Sequence, residues 1–453
     1  MKTPIVDFVR EYAKQNSVRL HMPGHKGISR LGFEVFDITE IEGADVLYSP
    51  DGIILESENN ASRLFGAAHS YYSTEGSTLC IKAMLAIATA DRGGDRPLVL
   101  ATRNSHKAFI YAAALLDLEI EWLYPSEPSH LCACNITPNE LEIALEKSEK
   151  KPGAVYVTSP DYLGNILDIK GLAQVCHAHG IPLLVDNAHG AYLQFLDKSM
   201  HPIALGADMC CDSAHKTLPV LTGGAYLHVS KGANVDYCQI AREKLSLFAS
   251  TSPSYLILQS LDLCNSYICD GYGEKLSALC ERLSSLKERL SLKGFCICGS
   301  EPLKIVVDAS KSGLSGKSLS KYLSARGIEI EFSDRDFAVM MFTPENSEDD
   351  ISRVEDALLC FDISGESNLT SDDEKLCTLH SALCTPEAVM SIREAMFSRS
   401  ELIPTEDAEG RVCAAPCVSC PPAIPVVVSG EIIGREQVKL LKYYEIEKIL
   451  VVK

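Results

Sequence analysis

The segment IPLLVDNAHG, residues 181–190, is the part of the sequence that most clearly predicts the fold class. Its apolar half is typical of a short buried strand, and a polar segment that begins at Asp186 follows this strand. A second apolar run, residues 207–211, leads into SAHKTL, residues 213–218. In open α/β sheets, ligands bind beyond the carboxyl ends of the strands. Both clusters are therefore candidate site residues on a parallel sheet.

The sequence on either side of this segment alternates in the same way. Residues 96–101 and 154–158 predict strands, and residues 107–116 and 172–179 predict helices. Strand and helix in alternation indicate an α/β fold with a mostly parallel sheet covered by helices. Beyond residue 241 the pattern changes to one long helix at 267–292 and strands at 303–308, 328–332 and 338–342, which is typical of a smaller α+β unit.

The composition excludes several classes of protein. The chain has 453 residues, with 61 Asp and Glu against 42 Lys and Arg, a formal net charge of −19. Phosphate backbones are held mainly by Lys and Arg, so a nucleic-acid partner is not expected. No run reaches the about 18 apolar residues of a membrane helix, and the first residues lack the apolar core of an export signal. We expect a cytoplasmic protein with no membrane partner.

The 18 cysteines have three possible interpretations: disulfides, metal ligands or apolar packing. Disulfide scaffolds are typical of short secreted chains, and most of these cysteines lie within predicted strands and helices. Cys413, Cys417 and Cys420 form C-x3-C-x2-C, but no fourth ligand follows at a suitable spacing. We therefore expect free thiols in a reducing compartment and no metal site.

Asp186 and Lys216 follow two predicted strands and are 30 residues apart. This combination suits pyridoxal 5'-phosphate (PLP), which needs a lysine for its Schiff base and an acidic partner for its ring nitrogen. The alternative interpretation is a helix-capping aspartate and a surface lysine.

Further residues add to this hypothesis. The segment STEGST, residues 73–78, precedes an apolar helical pattern, and small residues at a helix start expose N–H groups and hydroxyls to a phosphate. His106 also follows a strand end, where its ring could stack on a flat cofactor. Taken singly, each is equally typical of an ordinary helix start.

The segment LHMPGHKG, residues 20–27, resembles the signature opening of the ornithine/lysine/arginine decarboxylase family, which has the aspartate aminotransferase (type I) PLP fold. Residues 39–45, 186–190, 213–218, 251–255 and 421–425 resemble further blocks of that family. The match spans nearly the whole chain and is similar to the short form of the family, without an additional regulatory domain before the opening motif.

The resemblance implies a role for each matching residue. Lys216 would form the Schiff base, Asp186 would pair with the ring nitrogen and His106 would stack on the ring. His189 would lie on the side of the phenolic oxygen, and His215 would position or protonate the reacting carbon. The residues implied at the phosphate are Gly76, Ser77, Thr78 and Ser213.

The resemblance also implies the reaction and the organisation of the chain. The expected reaction is decarboxylation of a basic amino acid, arginine first and lysine or ornithine next, giving a polyamine-type amine and carbon dioxide. A homodimer or higher homo-oligomer is expected. The expected parts are an N-terminal arm (1–45), a PLP-binding large domain with a seven-stranded type of sheet (46–265), a small α+β domain (266–365) and a C-terminal domain (366–453), with a linker at 364–374.

Some positions depart from the family pattern. Asn187 stands where a second acid is common, Ala214 where Thr is common, and Cys420 where an aromatic residue usually precedes the prolines. Two alternatives stay open: an aminotransferase or another type I PLP lyase, and a catalytically silent binding protein of the same fold. Glu40, Asp45 and Asp51 could meet a distal cation, although each is more typical of a turn or surface carboxylate.

Overall fold

The structure, a computed structural model, describes residues 1–90, 96–126, 130–363, 386–418 and 423–453. Two compact units divide the chain. The first comprises Met1–Gly93, Gly153–Ser159 and Ile169–Lys275, and the second comprises Gly94–Pro152, Pro160–Asp168 and Leu276–Lys453. The four-part division expected from the sequence stays a prediction.

The main sheet has seven strands in the order β1-β7-β6-β5-β4-β2-β3. Its strands are β1 (His69–Ser73), β2 (Leu98–Thr102), β3 (Glu119–Leu123), β4 (Ala154–Thr158), β5 (Leu183–Asp186), β6 (Met209–Asp212) and β7 (Ala225–Val229). The pairs β4–β5, β5–β6 and β2–β3 are parallel, and β7 is antiparallel to β1 and β6. The predicted α/β class with a mostly parallel seven-stranded sheet is confirmed.

The first unit surrounds its strands with helices. They are α1 (Pro4–Lys14), α2 (Ile53–Phe65), α3 (Gly76–Ala88), α6 (Ile169–Ala178), α7 (Pro202–Leu205), α8 (Ala214–Thr217), α9 (Val235–Phe248) and α10 (Tyr255–Cys269). The aromatic part of its core centres on Phe65, whose ring lies 5.2 Å from that of Tyr226 and 4.4 Å from that of His228. These rings pack α2 against β7 beneath the sheet end where α8 begins.

The second unit has a smaller antiparallel sheet in the order β10-β11-β9-β8. Its strands are β8 (Cys296–Cys298), β9 (Lys304–Asp308), β10 (Phe332–Ser333) and β11 (Phe337–Met341). Two further pairs join β12 (Ser400–Pro404) to β15 (Lys448–Val452) and β13 (Cys417–Val418) to β14 (Pro425–Val427). The helices of this unit include α4 (Lys107–Leu116), α5 (Pro138–Lys147), α12 (Gly316–Ser324), α13 (Glu348–Cys360), α14 (Ile392–Phe397) and α15 (Arg435–Tyr443).

The helix expected at 267–292 is present but begins later than predicted. The chain forms α10, which ends at Cys269, and then α11 (Tyr272–Lys293). Between them Gly271 adopts a φ of +72°. A left-handed residue ends the hydrogen-bond ladder, and glycine adopts this conformation without steric cost.

Another expected element is shorter than predicted. Of the strand expected at 328–332, only Phe332 lies in β10, because this segment pairs with β11 for two residues. The expected linker at 364–374 lies outside the described residues.

Within the described part of the chain, no helix combines the length and apolar character needed to cross a membrane. The cysteines whose side chains are described are free thiols. Burial raises the pKa of Cys80, Cys134 and Cys176 to about 12. These thiols stay protonated at neutral pH and act as packing groups, as the sequence predicted. Cys420 lies outside the described residues, so the C-x3-C-x2-C motif is not tested.

Gly316, at the start of α12, allows a close backbone approach. A Cβ atom there would lie 2.1 Å from the Phe337 carbonyl oxygen and 2.6 Å from that of Asp334. We expect Gly316→Ala to cost about 3 kcal/mol of unfolding free energy, because backbone must move to admit the methyl group. Urea unfolding measures the loss. Gly232→Ala is the control, since a Cβ at Gly232 meets nothing nearer than 3.8 Å; equal losses in both variants would contradict this account.

Candidate active site

Asp186 ends β5 and is buried, with 3% of its surface exposed. Its Oδ2 accepts a hydrogen bond from the Tyr156 hydroxyl at 3.1 Å, and its Oδ1 accepts one from the Ala188 backbone N–H at 3.2 Å. The Cys211 thiol approaches Oδ1 at 3.6 Å. The side chain is thereby held in one orientation at the carboxyl end of the sheet.

Lys216 lies in the short helix α8, which follows β6. Its Nζ is 3.0 Å from Nε2 of His189, which belongs to the loop that Asp186 opens. In register, Asp186 lies opposite Cys211, so the loops that follow β5 and β6 leave the sheet side by side. The first unit therefore brings Lys216 into contact with His189, in the loop that begins after Asp186. The cofactor roles expected for these residues stay predictions.

A second contact joins the beginnings of α3 and α8. The Ser213 hydroxyl donates to Ser77 Oγ at 2.8 Å. Gly76, the first residue of α3, has a φ of +70°, and a Cβ built there meets no atom within 4 Å. Hydroxyls, helix-start N–H groups and open space thus occur together at this end of α3, and Thr78 follows on the same first turn.

His215 precedes Lys216 and is half-buried. Its Nδ1 lies 3.0 Å from the Gly224 carbonyl oxygen, which can only accept, so Nδ1 carries the proton and Nε2 is free to gain or lose one. Burial lowers the pKa of His215, and the neighbouring Lys216 lowers it further against the opposing effect of the Gly224 bond. The imidazole is uncharged at neutral pH.

His106 belongs to the second unit, where it is the N-cap of α4. Its Nδ1 accepts a hydrogen bond from the Ala108 backbone N–H at 3.1 Å. The stacking role implied by the family resemblance stays a prediction.

Sequence analysis missed a buried polar cluster behind these loops. Asp212, the last residue of β6, accepts hydrogen bonds from Asn187 Nδ2 at 2.6 Å, His201 Nε2 at 3.0 Å and His228 Nε2 at 3.2 Å. Burial raises the pKa of Asp212, but the two histidines overcome this effect and hold it well below its usual range. The carboxylate is ionised.

Tyr156 was also missed, because a tyrosine within an apolar strand is typical of core packing. Asp212 carried a usable signal: it ends a predicted strand directly before Ser213, at the edge where ligands bind. His201 and His228 carried none, since their contacts join residues that are distant in sequence.

The residues of the first unit fit PLP. A buried oriented carboxylate suits a protonated ring nitrogen, a primary amine at the adjacent strand end suits the aldehyde, and the start of α3 suits the phosphate. Hydrogen bonds join Ser77 to Ser213 and Lys216 to His189, and the Lys216 backbone N–H donates to the Ser213 carbonyl oxygen at 3.0 Å.

Comparison with known proteins agrees with this assignment. The model of the Orn/Lys/Arg decarboxylase major domain matches residues 3–306, and that of the C-terminal domain matches residues 374–449. The chain is 31% identical to the uncharacterized protein YaaO of Bacillus subtilis over 97% of this chain and 94% of that one. It is 28% identical to an arginine decarboxylase of the same organism over 97% and 93%.

Solved structures share the fold. A lysine decarboxylase of Francisella novicida aligns with a TM-score of 0.80 and 16% identity, over 100% of this chain and 81% of that one. The constitutive lysine decarboxylase of Escherichia coli aligns with a TM-score of 0.75 and 18% identity, over 100% and 82%.

The fold is that of the type I PLP-dependent enzymes. The chain belongs to the Orn/Lys/Arg decarboxylase family, and it is a decarboxylase.

Removing the Tyr156 hydroxyl tests the support of Asp186. We expect Tyr156→Phe to weaken PLP affinity about fivefold, because one neutral hydrogen bond contributes about 1 kcal/mol. Titration of cofactor-free protein with PLP, followed by visible absorbance, measures the change. Tyr72→Phe is the control, since Tyr72 is equally buried but bonds Ser57 and Asn265; a similar loss there would contradict a specific effect on Asp186.

Proposed function

We propose that this enzyme removes the α-carboxylate of a basic amino acid, arginine first and lysine or ornithine next, giving carbon dioxide and a polyamine-type amine. The observation that carries the proposal is the placement of Lys216 and buried Asp186 at the ends of adjacent parallel strands, in a chain of this family. The full-length similarity to an arginine decarboxylase favours arginine.

PLP is the proposed cofactor, and when bound it accepts the electron pair that remains after carbon dioxide leaves. Asp186 contributes a fixed negative charge, which Tyr156 and the Ala188 N–H orient. Lys216 supplies the amine that holds the cofactor until the amino group of the substrate takes its place. Gly76, Ser77, Thr78 and Ser213 are the proposed phosphate contacts.

The three histidines have proposed roles of different kinds. His189 holds Lys216 Nζ at 3.0 Å and thereby positions the amine. His215 is uncharged at neutral pH, and its Nε2 takes up a proton from solvent and delivers it to the carbon that lost the carboxylate. His106 is the proposed ring-stacking residue.

The distal cation of a basic substrate needs a carboxylate partner in the protein. Asp45 already accepts backbone hydrogen bonds from Val46, Asp51, Gly52 and Ile54 at 2.8 to 3.0 Å. It caps the start of α2, so its carboxylate is committed to the fold. Glu40 and Asp51 are the remaining carboxylates of those singled out from the sequence.

A homodimer or larger homo-oligomer is also proposed. The segment around the opening motif exposes apolar side chains, with Leu20 90% and Leu31 75% exposed. Val18 and Ile28 are exposed in the same segment. Several exposed apolar side chains within one short segment support an interface there, with a second copy of the chain as the proposed partner.

Lys216→Ala tests the cofactor assignment. The wild-type protein is expected to bind PLP with a visible absorbance band that sodium borohydride fixes covalently. The variant is expected to lose the fixed label, because no amine remains at this position. Mass spectrometry after reduction reads the label. A label of wild-type yield in the variant would reject Lys216.

An amine-product assay with arginine, lysine and ornithine in parallel tests the reaction. Carbon dioxide release without a keto-acid acceptor is expected, fastest with arginine. A requirement for a keto acid would indicate an aminotransferase, and PLP binding without turnover would indicate a silent binding protein.

Light scattering after gel filtration tests the assembly. We expect a dimer or larger species for the wild type and a monomer for Leu20→Glu with Leu31→Glu, because two charges cannot be buried in an apolar interface. Leu292→Glu is the control, as Leu292 is 88% exposed and lies elsewhere in the chain. A monomeric wild type would reject the proposal.

A further inference from the structure

The two carboxylate oxygens of Asp212 accept hydrogen bonds from two different kinds of donor. Oδ2 accepts the Nε2–H groups of His201 and His228, and Oδ1 accepts the side-chain amide of Asn187. All four side chains are buried, and Asp212 has no measurable exposure. Both oxygens of Asp212 are therefore satisfied within the cluster, whereas the buried Oδ1 of Asn187 has no hydrogen-bond partner among the described residues.

The histidines act as donors here. His201 Nδ1 accepts a hydrogen bond from the Ile203 backbone N–H at 3.4 Å, so its Nε2 carries the proton and points it at Asp212. His228 Nδ1 contacts the Ser70 hydroxyl at 2.8 Å on its other side. The cluster is therefore a hydrogen-bonded carboxylate held from behind by two fixed N–H groups.

Asn187 connects this cluster to the active site. It lies directly after Asp186 and two residues before His189. Its backbone N–H donates to the Cys211 carbonyl at 3.0 Å, and its own carbonyl accepts from the Gly190 N–H at 2.7 Å. With the 2.6 Å bond to Asp212, both its backbone and its side chain tie the loop after β5 to the end of β6.

We infer that Asn187 and Asp212 form a carboxylate–carboxamide pair that positions Asp186 and His189 for the cofactor. They are positioning residues, since they act through the loop they hold. The pair contains one acid and one amide, and we expect it to keep its function with the acid at either position. This inference rests on the proposed function, because the loop is the one proposed to hold PLP.

The geometry explains why either order works. In the double variant Asn187→Asp with Asp212→Asn, the new amide at position 212 can turn its oxygen to His201 and His228. Its Nδ2 then donates to the new carboxylate at position 187. Every donor still meets an acceptor, and the pair still carries one negative charge.

The single substitutions break the pair in different ways. Asn187→Asp places two buried carboxyl groups about 2.6 Å apart, and two like charges at that distance cannot both stay ionised, so this variant must take up an extra proton to fold around the pair. Asp212→Asn leaves two amides, which can still form one hydrogen bond if Asn187 rotates. The first variant should therefore be more damaging than the second.

The experiment measures PLP affinity of cofactor-free protein by visible absorbance, and thermal unfolding of the same protein. We expect about a tenfold or larger loss of affinity for Asn187→Asp and about a fivefold loss for Asp212→Asn, following the cost of a repulsive contact and of one lost bond. The double variant should return to within about threefold of wild type, which is the interaction that a double-mutant cycle isolates.

Asn265→Asp is the matched control. Asn265 is also fully buried in the first unit and donates its amide to Tyr72 and Ser57, away from Asp186. It is expected to lower the unfolding midpoint without changing the wavelength of the visible band or PLP affinity beyond about threefold, since it holds no cofactor residue. Asp212→Asn should fail to rescue it.

The outcomes are distinct. The inference is rejected if Asn187→Asp binds PLP as the wild type does, if the double variant stays as weak as Asn187→Asp, or if Asn265→Asp loses affinity equally. If the wild type itself binds no PLP, the proposed function fails. The unfolding midpoints of the cofactor-free variants then still test the pair, because rescue of Asn187→Asp by Asp212→Asn is expected there as well.

Discussion

The parallel pairing of β5 with β6 is the constraint on which the rest of the site depends. The register sets Asp186 opposite Cys211, so that Asp212 and the loop beyond Asp186 leave the sheet at the same level. A shift of one residue would turn Asp186 to the opposite face of the sheet. The carboxylate, the amine at Lys216 and the buried cluster around Asp212 all take their positions from this one ladder.

The sequence was most informative where function and fold are local. The bounds predicted for α4 and β4 are those observed, because a clear apolar period is bounded by polar residues at both ends. Asp186 and Lys216 were identified because ligand-binding residues of parallel sheets follow strand ends. The contact between Ser77 and Ser213 agrees with the expected grouping of phosphate contacts, although their role is a proposal.

The sequence was uninformative where long-range contacts decide the structure. The regularly spaced leucines from Leu276 to Leu290 all lie within α11, so they do not determine where that helix begins, and the break from α10 depends on the left-handed backbone of Gly271. Tyr156 and His201 meet their partners across different elements. Asn187 was noticed only as a departure from a family pattern, and its meaning emerged when Asp212 was found beside it.

The single negative charge of the Asn187–Asp212 pair has a consequence for how this sequence can evolve. A lone substitution that adds or removes an acid passes through a damaged intermediate, whereas a compensated pair does not. On this inference, a change at one position is expected to be accompanied by a change at the other, although 25 residues separate them along the chain. In such a protein, a position that lacks an expected acid can be paired with a second position that carries the acid instead.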